Sequence, residues 1–444
     1  MRHCASAFGL FNKLLCLRIS KLFLLLWSES FSIALTMKKS AILTVLVLIS
    51  AHLTAQVETG IEVLRKTGFE PLKHKKVGLI TNPTGIDAQL KSTVDILFEA
   101  PEVDLVALFG PEHGVRGNIA AGEKVESRTD SITGLPVFSL YGKTRKPTPD
   151  MLKGIDILIY DVQDIGSRSY TFISTLGLAM EAAAENNIEF MVLDRPNPLG
   201  GNRFEGPVTR PEFASFVGRY PIPYVHGFTV GELAQFLNEN GLLANQAKCS
   251  LTIIKMDGWN RDADFHATGL PWVPSSPHIP YSNTSFFYPS SGILGELYVM
   301  NIGVGYTLPF QLFGADWIDA ESLARNLERL NLPGVLFRPI HYKPYYSTFK
   351  EKNIEGVQVH LTDAKKANLS LIQFYVLQEL HKLYPEKNVF EMCDPARLSI
   401  FDKVCGTDEV RRQFSEMFLV KDILYLWTKE AEEFKEGAKG YFLY

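Results

Sequence analysis

The amino-acid sequence predicts an α/β fold in which a doubly wound parallel sheet is followed by a C-terminal α+β subdomain. Short, continuous apolar runs alternate with helical stretches from residue 60 to about residue 245. This pattern is typical of parallel strands that are buried on both faces and joined by helices. The chain has 444 residues, which is too long for one ordinary core and indicates about two domains.

The first part of the chain supplies the strands and helices of the predicted sheet. Buried strands are predicted at 76–81, 104–109, 136–140, 155–160 and 190–193, with a further strand at 251–256. Helices are predicted at 90–98, 171–186 and 229–240. The last of these opens with Thr229 and Glu232, the spacing of a capping box.

The second part of the chain has a mixed pattern. Residues 260–317 are rich in proline, serine, glycine and aromatic residues, which predicts a long structured loop region. Beyond it, helices are predicted at 320–330, 369–384 and 420–434, and a strand at 356–361. We place the domain boundary near 245–260, which gives a catalytic domain at 57–250 and a C-terminal subdomain at 251–444.

The N-terminus carries the pattern of a secretory signal peptide. Met37, Lys38 and Lys39 form a short basic start, and an apolar run at 41–49 leads to small residues before Gln56. We therefore expect a signal at 37–55, preceded by an extension at 1–36, and export to the periplasm or the cell exterior. The apolar run is too short for a stable membrane span, although a retained anchor is the alternative.

Composition narrows the class of function. The formal net charge is -4, and no basic stripe of the kind that binds nucleic acids is present. The basic clusters at 73–76 and 143–146 are short, and we expect them to be solvated surface. Cys249, Cys393 and Cys405 give no disulfide framework; buried free thiols are expected, with a Cys393–Cys405 bridge as the alternative.

Polar side chains follow three of the predicted strands, at the edge where open parallel sheets bind ligands. They are Glu112 and His113 after the second strand, Asp161, Asp164, Arg168 and Tyr170 after the fourth, and Asp194, Arg195 and Asn197 after the fifth. We predict that these segments meet in one acid-rich cleft. The alternatives are that Asp161 and Asp194 cap helices or pair with Arg168 and Arg195, and that Glu112 and His113 form a surface turn.

Several catalytic motifs are absent from the sequence. There is no glycine fingerprint of a nucleotide site, no Gly-x-Ser-x-Gly elbow of a serine hydrolase, and no His-Glu-x-x-His of a zinc enzyme. Paired carboxyl groups are what glycoside hydrolysis requires, and arginine binds a substrate carboxylate in a bidentate manner. A glycosidase is the hypothesis that these residues favour.

Three motifs resemble the exo-β-N-acetylmuramidase family, long known only as a domain of unknown function. They are Gly-Pro-Glu-His-Gly at 110–114, Asp-Val-Gln-Asp-Ile-Gly-Ser-Arg at 161–168 and Leu-Asp-Arg-Pro-Asn-Pro at 193–198. The resemblance continues through 221–227, 229–234, 271–273, 356–360 and 401–403, and covers roughly residues 60–444.

The resemblance implies a Rossmann-like domain, a C-terminal subdomain that completes the cleft, and removal of terminal β-1,4-linked N-acetylmuramic acid from peptidoglycan fragments without a cofactor or a metal. It implies Glu112 as the leading catalytic acid/base, with Asp161, Asp164 or Glu296 as a second carboxylate. The implied substrate-binding residues are His113, Arg168, Tyr170, Asp194, Arg195, Asn197, His226 and His278.

The chain departs from the family pattern at two places. His278 stands where many members have asparagine, and the run at 296–307 keeps Glu296 and the glycines but lacks an arginine. These departures bear on substrate preference, and Glu296 is either a second carboxylate or a structural residue. Two other functions stay open: a catalytically silent glycan-binding protein that retains Arg168, Arg195, Tyr170 and Trp272, and a metal-dependent hydrolase that uses Glu112, His113 and Asp161.

Overall fold

In the computed structural model, the described residues are 56–117 and 128–444. The predicted extension at 1–36 and the predicted signal peptide at 37–55 lie outside them. Among the helices of the described ranges, none has both the length and the apolar character that a membrane crossing requires.

Within the described residues, the larger sheet has seven strands, in the order β3-β4-β2-β1-β5-β6-β7. All neighbouring pairs are parallel except β3 with β4. The strands are β1 Lys76–Thr81, β2 Asp104–Gly110, β3 Arg128–Thr129, β4 Pro136–Ser139, β5 Ile157–Asp161, β6 Glu189–Leu193 and β7 Leu251–Ile254. The parallel sheet predicted from the apolar runs is confirmed.

Helices cover both faces of this sheet. They are α1 Gly60–Lys66, α2 Thr93–Glu99, α3 Pro149–Leu152, α4 Phe172–Glu185 and α5 Val230–Glu239. Alternate residues of a strand face opposite sides, so Leu79 of β1 packs in the core with α1 and α2, whereas Ile80 packs in the core with α4 and α5. This arrangement confirms the doubly wound, Rossmann-like α/β domain, and the capping box predicted at Thr229 and Glu232 is present at the start of α5.

The C-terminal part contains a three-stranded antiparallel sheet in the order β8-β10-β9, surrounded by helices. Its strands are β8 Leu312–Ala315, β9 Val335–Tyr342 and β10 Ile354–Leu361. Its helices are α6 Thr284–Gly295, α7 Ala320–Arg329, α8 Ile372–Leu383, α9 Val389–Met392, α10 Pro395–Cys405, α11 Glu409–Met417 and α12 Val420–Ala438. The α+β character predicted for this part is confirmed.

Two predictions for the C-terminal part were wrong or incomplete. The stretch at 260–317 is not all loop, because it contains α6 and β8, and β9 was not predicted. Helix α6 holds Pro289, Ser290, Ser291 and Gly292, which are weak helix formers, but all four are buried. Tertiary packing therefore overrides the local preference.

The three described cysteines are free and buried, so the alternative Cys393–Cys405 bridge is not formed. Burial raises the pKa of the Cys249 thiol to about 11 and also raises the pKa of Cys393 and Cys405. The thiol form, which is the unreactive one, is therefore favoured at all three positions.

Candidate active site

A cavity of about 470 Å³ lies beyond the carboxyl ends of β4, β2 and β5, where α6 and the loops of the C-terminal part close over them. Its size is within the range of pockets that bind small ligands. Five of the predicted site residues line it, namely Glu112, His113, Tyr170, Glu296 and His278. Side chains that the sequence did not single out also line it, among them Tyr141, Ser169, Thr171, Tyr288, Tyr298 and Val304.

Glu112 and His113 sit in a tight turn directly after β2. The amide of Gly114 donates to the carbonyl of Pro111 at 2.9 Å, and His113 has a φ of 73°. A left-handed conformation costs a side chain such as histidine about 1–2 kcal/mol, and residues held in this way cluster at functional sites. The turn places Glu112 and His113 together on the cavity wall.

Polar groups from two other strand ends surround the Glu112 carboxylate. Thr171, at the N-terminus of α4, donates its hydroxyl to Oε2 of Glu112 at 3.1 Å. Tyr141, which follows β4, is also close to Glu112, and its pKa is raised to about 12 by burial and by the charge and hydrogen bonding of Glu112.

Glu296 supplies a second carboxylate from the C-terminus of α6. Nη2 of Arg397 donates to Oε2 of Glu296 at 2.7 Å, and the Glu296 side chain is 33% exposed. Burial raises the pKa of Glu296, while Arg397 opposes that rise. The charges of Glu296 and Glu112 both raise the pKa of Tyr288, after the larger effect of burial. The two carboxylates therefore act on the same part of the cavity.

Neutral hydroxyl groups, those of Ser169, Tyr170 and Tyr288, also belong to residues that line the cavity. Tyr170 donates to the Ser275 hydroxyl at 2.9 Å, and the hydroxyls of Ser169 and Tyr288 are 3.1 Å apart. Burial raises the pKa of both tyrosines, so these groups stay protonated. Such hydroxyls can both donate to and accept from a sugar.

His278 stands at the cavity near His113. Its Nε2 lies 2.8 Å from the hydroxyl of Tyr346. Burial, and to a smaller extent His113, lowers the pKa of His278, which favours the neutral ring. The residue that departs from the family pattern is thus in a position to touch a ligand.

Asp161 and Arg195 do not reach the cavity. They form a bidentate ion pair, with Nε–Oδ1 and Nη2–Oδ2 distances of 2.5 and 3.0 Å, and Thr93 also donates to Asp161. Asp161 is fully buried, and Arg195 borders a separate space of only about 20 Å³ beside Trp272. The ion-pair alternative therefore describes these residues. The strand order reverses between β1 and β5, and the Asp161–Arg195 pair fills the gap at the ends of these strands.

Arg168 is fully buried and lies outside the cavity. Nη1 donates to the carbonyls of Pro207 and Ile222 at 2.7 and 2.5 Å, and Nη2 donates to those of Val404 and Cys405 at 2.9 and 2.8 Å. Burial lowers the pKa of this guanidinium to about 10. Its terminal nitrogens are committed to main chain, so its position gives no support to the predicted contact with a sugar carboxylate.

Four further predicted residues, Asp164, Asp194, Asn197 and His226, are buried and do not line the cavity. Asp194 accepts hydrogen bonds from the Thr229 hydroxyl at 2.7 Å and from the Gly231 amide at 2.8 Å, so it caps α5. Asn197 donates to the Phe228 carbonyl at 2.9 Å. Asp164 accepts from the Gly166 amide, and its Oδ2 lies 3.3 Å from Nε2 of His226.

A sequence signal was available for some of the cavity residues that were missed. Tyr141 comes two residues after β4, and Ser169 and Thr171 flank Tyr170, so the rule that polar strand ends meet could have found them. Tyr288 and Tyr298 lie in or after α6, which the sequence did not reveal. The described ranges contain no group of three or more histidine, cysteine, aspartate or glutamate residues arranged to hold a metal ion.

Two family models match the chain over nearly all of the described region. One is the N-terminal part of exo-β-N-acetylmuramidase NamZ, at residues 77–283, and the other is its C-terminal part, at 286–444. The chain belongs to the exo-β-N-acetylmuramidase NamZ family. It is 46% identical over 389 residues to peptidoglycan β-N-acetylmuramidase NamZ of Bacillus subtilis (strain 168), which covers 88% of this chain and 92% of the relative.

Two crystal structures of DUF1343 family proteins from Bacteroides fragilis share the fold of this NamZ family chain. One is 57% identical with a TM-score of 0.84, and the other is 31% identical with a TM-score of 0.72. Each match covers 88% of this chain and 99% of the other. The α/β domain and the C-terminal part thus occur together in these relatives.

Proposed function

We propose that this chain is an exported, exo-acting glycoside hydrolase that releases terminal β-1,4-linked N-acetylmuramic acid from peptidoglycan fragments. The observation that carries the proposal is that Glu112 and Glu296 line one cavity and both act on the neutral hydroxyl of Tyr288, in a chain of the NamZ family. Two carboxyl groups flanking the scissile bond are what most glycosidases use.

In this mechanism, Glu112 is the general acid. It donates its proton to the glycosidic oxygen as the bond from that oxygen to C1 of the terminal sugar breaks. The oxygen of a water molecule then bonds to C1, and that water gives up a proton to the Glu112 carboxylate, which restores the acid. Glu296 acts as the second carboxylate, which supports the positive charge that develops on the sugar ring. Ser169, Tyr170 and Tyr288 bind the sugar hydroxyls, because each presents a neutral hydroxyl to the cavity.

The export part of the proposal is supported by the sequence pattern at 37–55. A polymer substrate in the cell wall would require the enzyme to act beyond the cytoplasmic membrane. N-terminal sequencing of the protein from the periplasm or medium tests this, with a mature start near Gln56 as the expected result. An unprocessed protein that stays in the cytoplasm would contradict export.

The catalytic role of Glu112 is tested with a chromogenic β-N-acetylmuramide and the matching N-acetylglucosaminide. We expect release from the muramide by the wild type. With the disaccharide N-acetylmuramyl-N-acetylglucosamine, whose leaving oxygen must be protonated, we expect a fall of at least about 100-fold in kcat for Glu112→Gln, since a positioned general acid contributes about that much. Glu102→Gln, an exposed carboxyl on the loop before β2, is the control and should keep full activity.

Other outcomes point to the alternative functions. Binding of the muramide without release by the wild type would support a silent glycan-binding protein. Equal release from the muramide and the N-acetylglucosaminide would show that the enzyme does not prefer muramic acid. Loss of release after dialysis against EDTA would favour the metal-dependent hydrolase, whereas the mechanism above expects no change.

A further inference from the structure

A second cavity, of about 570 Å³, lies beside the candidate active site and has no part in the mechanism above. Its lining includes Lys143, Arg145, Lys146, Phe216 and Arg219. We call it the basic groove. Part of it comes from the cluster at 143–146, which the sequence predicted to be solvated surface.

The basic groove adjoins the active-site cavity through Tyr141. The Tyr141 ring lines the active-site cavity, and its centroid is 6.5 Å from that of Phe216 in the groove. The guanidinium of Arg145 lies 4.2 Å over the centre of the Phe216 ring, which is a cation–π arrangement. Arg145 is also close enough to Tyr141 to lower its pKa against the effect of burial.

The four cations of the groove differ in their partners. Lys146 Nζ lies 2.6 Å from Glu185, and Arg219 Nη2 lies 3.0 Å from Glu181. Within the described ranges, no carboxylate lies within 4 Å of the charged nitrogens of Lys143 or Arg145. Two exposed cations next to the active site are thus available to an external anion.

The position of the groove relative to Glu112 suggests what that anion is, and this step rests on the proposed function. The general acid protonates the leaving oxygen, so the leaving part of the substrate lies on the Glu112 side of the cavity. Tyr141 lies on that side, and the groove lies beyond it. In a glycan fragment, the leaving part bears carboxylates, either on the lactyl group of the next muramic acid or on its stem peptide.

We propose that the basic groove binds a carboxylate on the leaving part of the substrate, with Arg145 and Lys143 as its ligands. Arg145 can bind a carboxylate through two parallel hydrogen bonds, and the Phe216 ring holds its planar group in place. The two residues then determine specificity for longer, anionic fragments over a single neutral leaving group.

The test compares kcat/KM for three substrates that share the terminal sugar. The disaccharide N-acetylmuramyl-N-acetylglucosamine has a neutral leaving group, the peptide-free tetrasaccharide adds one lactyl carboxylate, and the same tetrasaccharide with a stem peptide on its inner muramic acid adds peptide carboxylates. The double variant Lys143→Gln/Arg145→Gln is compared with Arg329→Gln/Lys421→Gln, which removes two exposed positive charges elsewhere, on α7 and α12.

We expect the ratio of kcat/KM for tetrasaccharide to that for disaccharide to fall about fivefold in the first double variant, as suits partly exposed ion pairs. The fall should shrink as salt is added, and the control should keep the wild-type ratio. A fall with the peptide-free tetrasaccharide assigns the lactyl carboxylate, and a fall restricted to the peptide-bearing one assigns the peptide. If the Lys143→Gln/Arg145→Gln variant keeps the wild-type ratio with both tetrasaccharides, this inference is overturned and the proposed function is not. If the wild type releases the terminal sugar from none of the substrates, the proposed function is overturned, and this inference with it.

Discussion

Two carboxylates face the active-site cavity, and their surroundings differ. Glu112 accepts a hydrogen bond from Thr171 at the N-terminus of α4, whereas Glu296 sits at the C-terminus of α6 and pairs with Arg397. The negative end of a helix and burial both disfavour a second negative charge. Arg397 opposes these effects in part, and the pKa of Glu296 stays raised because burial is the largest of them.

The role of Glu296 is tested by Glu296→Gln. We expect kcat to fall by about 100-fold with little change in KM, because the charge acts on the transition state more than on the bound substrate. Steady-state kinetics with the chromogenic muramide measures this. A variant with normal kcat would make Glu296 a structural residue.

The variant Arg397→Met tests the role of Glu296 through the pH profile of kcat, which would not change if Glu296 were only a structural residue. Arg397 lowers the pKa of Glu296 against burial, so its removal should raise that pKa further. If ionised Glu296 is needed for catalysis, the acid limb of the pH profile of kcat moves to higher pH. A limb that stays in place, in a folded variant, would contradict this role.

Asp194 is a buried carboxyl whose protonation affects stability rather than catalysis. Burial raises its pKa from the ordinary 3.8 to about 6, although hydrogen bonds from Thr229, Gly231 and Tyr444 oppose the rise. A pKa that is higher in the folded than in the unfolded chain gives a stabilising contribution below about pH 4, which is lost as the pH rises through about 6.

We therefore expect the free energy of unfolding of the wild type, relative to Asp194→Asn, to fall by roughly 3 kcal/mol between about pH 4 and about pH 7. Denaturant titrations at several pH values measure the difference. Asp104→Asn, at the exposed start of β2, is the control and should show no such trend. A difference that does not vary with pH would refute the assignment.

At the scale of elements, the sequence predicted the strands and helices of the α/β domain better than those of the C-terminal part. Buried parallel strands such as β1 and β5 are continuous apolar runs, which few other elements resemble. β9 contains Pro339 and alternates buried with exposed residues. Proline is tolerated there because β9 is an edge strand of the small sheet, a fact that depends on its neighbours.

The rule that polar residues at the carboxyl ends of parallel strands meet at one edge of the sheet also explains how far the candidate site could be predicted. It brought Glu112 and Tyr170 to one cavity, but it applied equally to Asp161 and Arg195, which pair with each other. A polar residue after a strand looks the same in sequence whether it faces a cavity or a partner. Glu296 lies after α6. It was predicted as a site residue from the family resemblance rather than from the periodicity of the sequence.

Arg168 joins elements from both parts of the chain. It follows β5, and its guanidinium binds the last two carbonyls of α10, Val404 and Cys405, where a helix favours a cation. Gly406 has a φ of 84°, and a Cβ there would lie 2.7 Å from Nη2 of Arg168. The glycine therefore both ends α10 and leaves room for the guanidinium.

Replacement Arg168→Met should leave four buried carbonyls without their donor. We expect the free energy of unfolding to fall by roughly 3 kcal/mol or more, because each unsatisfied buried group costs about 1–3 kcal/mol. Arg412→Met is the control: Arg412 is 61% exposed and pairs with Asp408 one helical turn away, so its loss should cost less than about 1 kcal/mol. If urea titrations show that Arg168→Met and Arg412→Met lower the free energy of unfolding equally, Arg168 does not stabilise the fold through its four carbonyl contacts.

At the scale of the molecule, Gln56–Tyr444 forms one compact unit, and its largest core combines both parts of the chain. Ile165, Leu199 and Tyr224 from loops of the α/β domain pack in the same cluster as Phe374 and Trp427 of α8 and α12. The division at residues 57–250 and 251–444 stays a prediction; β7, which begins at Leu251, pairs with β6 in the larger sheet.

A shared core predicts that the two sheets unfold together. Phe374 is fully buried and its ring lies 4.8 Å from that of Trp427, so Phe374→Ala should cost about 3–5 kcal/mol. Because the core is common, we expect the loss to appear in both sheets, as equal acceleration of native-state hydrogen exchange at the most protected amides of β5 and of β10. Mass spectrometry of peptides from the two strands measures it. Faster exchange in β10 with β5 unchanged would mean that the α/β domain keeps its fold when the C-terminal part opens, and the common core would then not couple them.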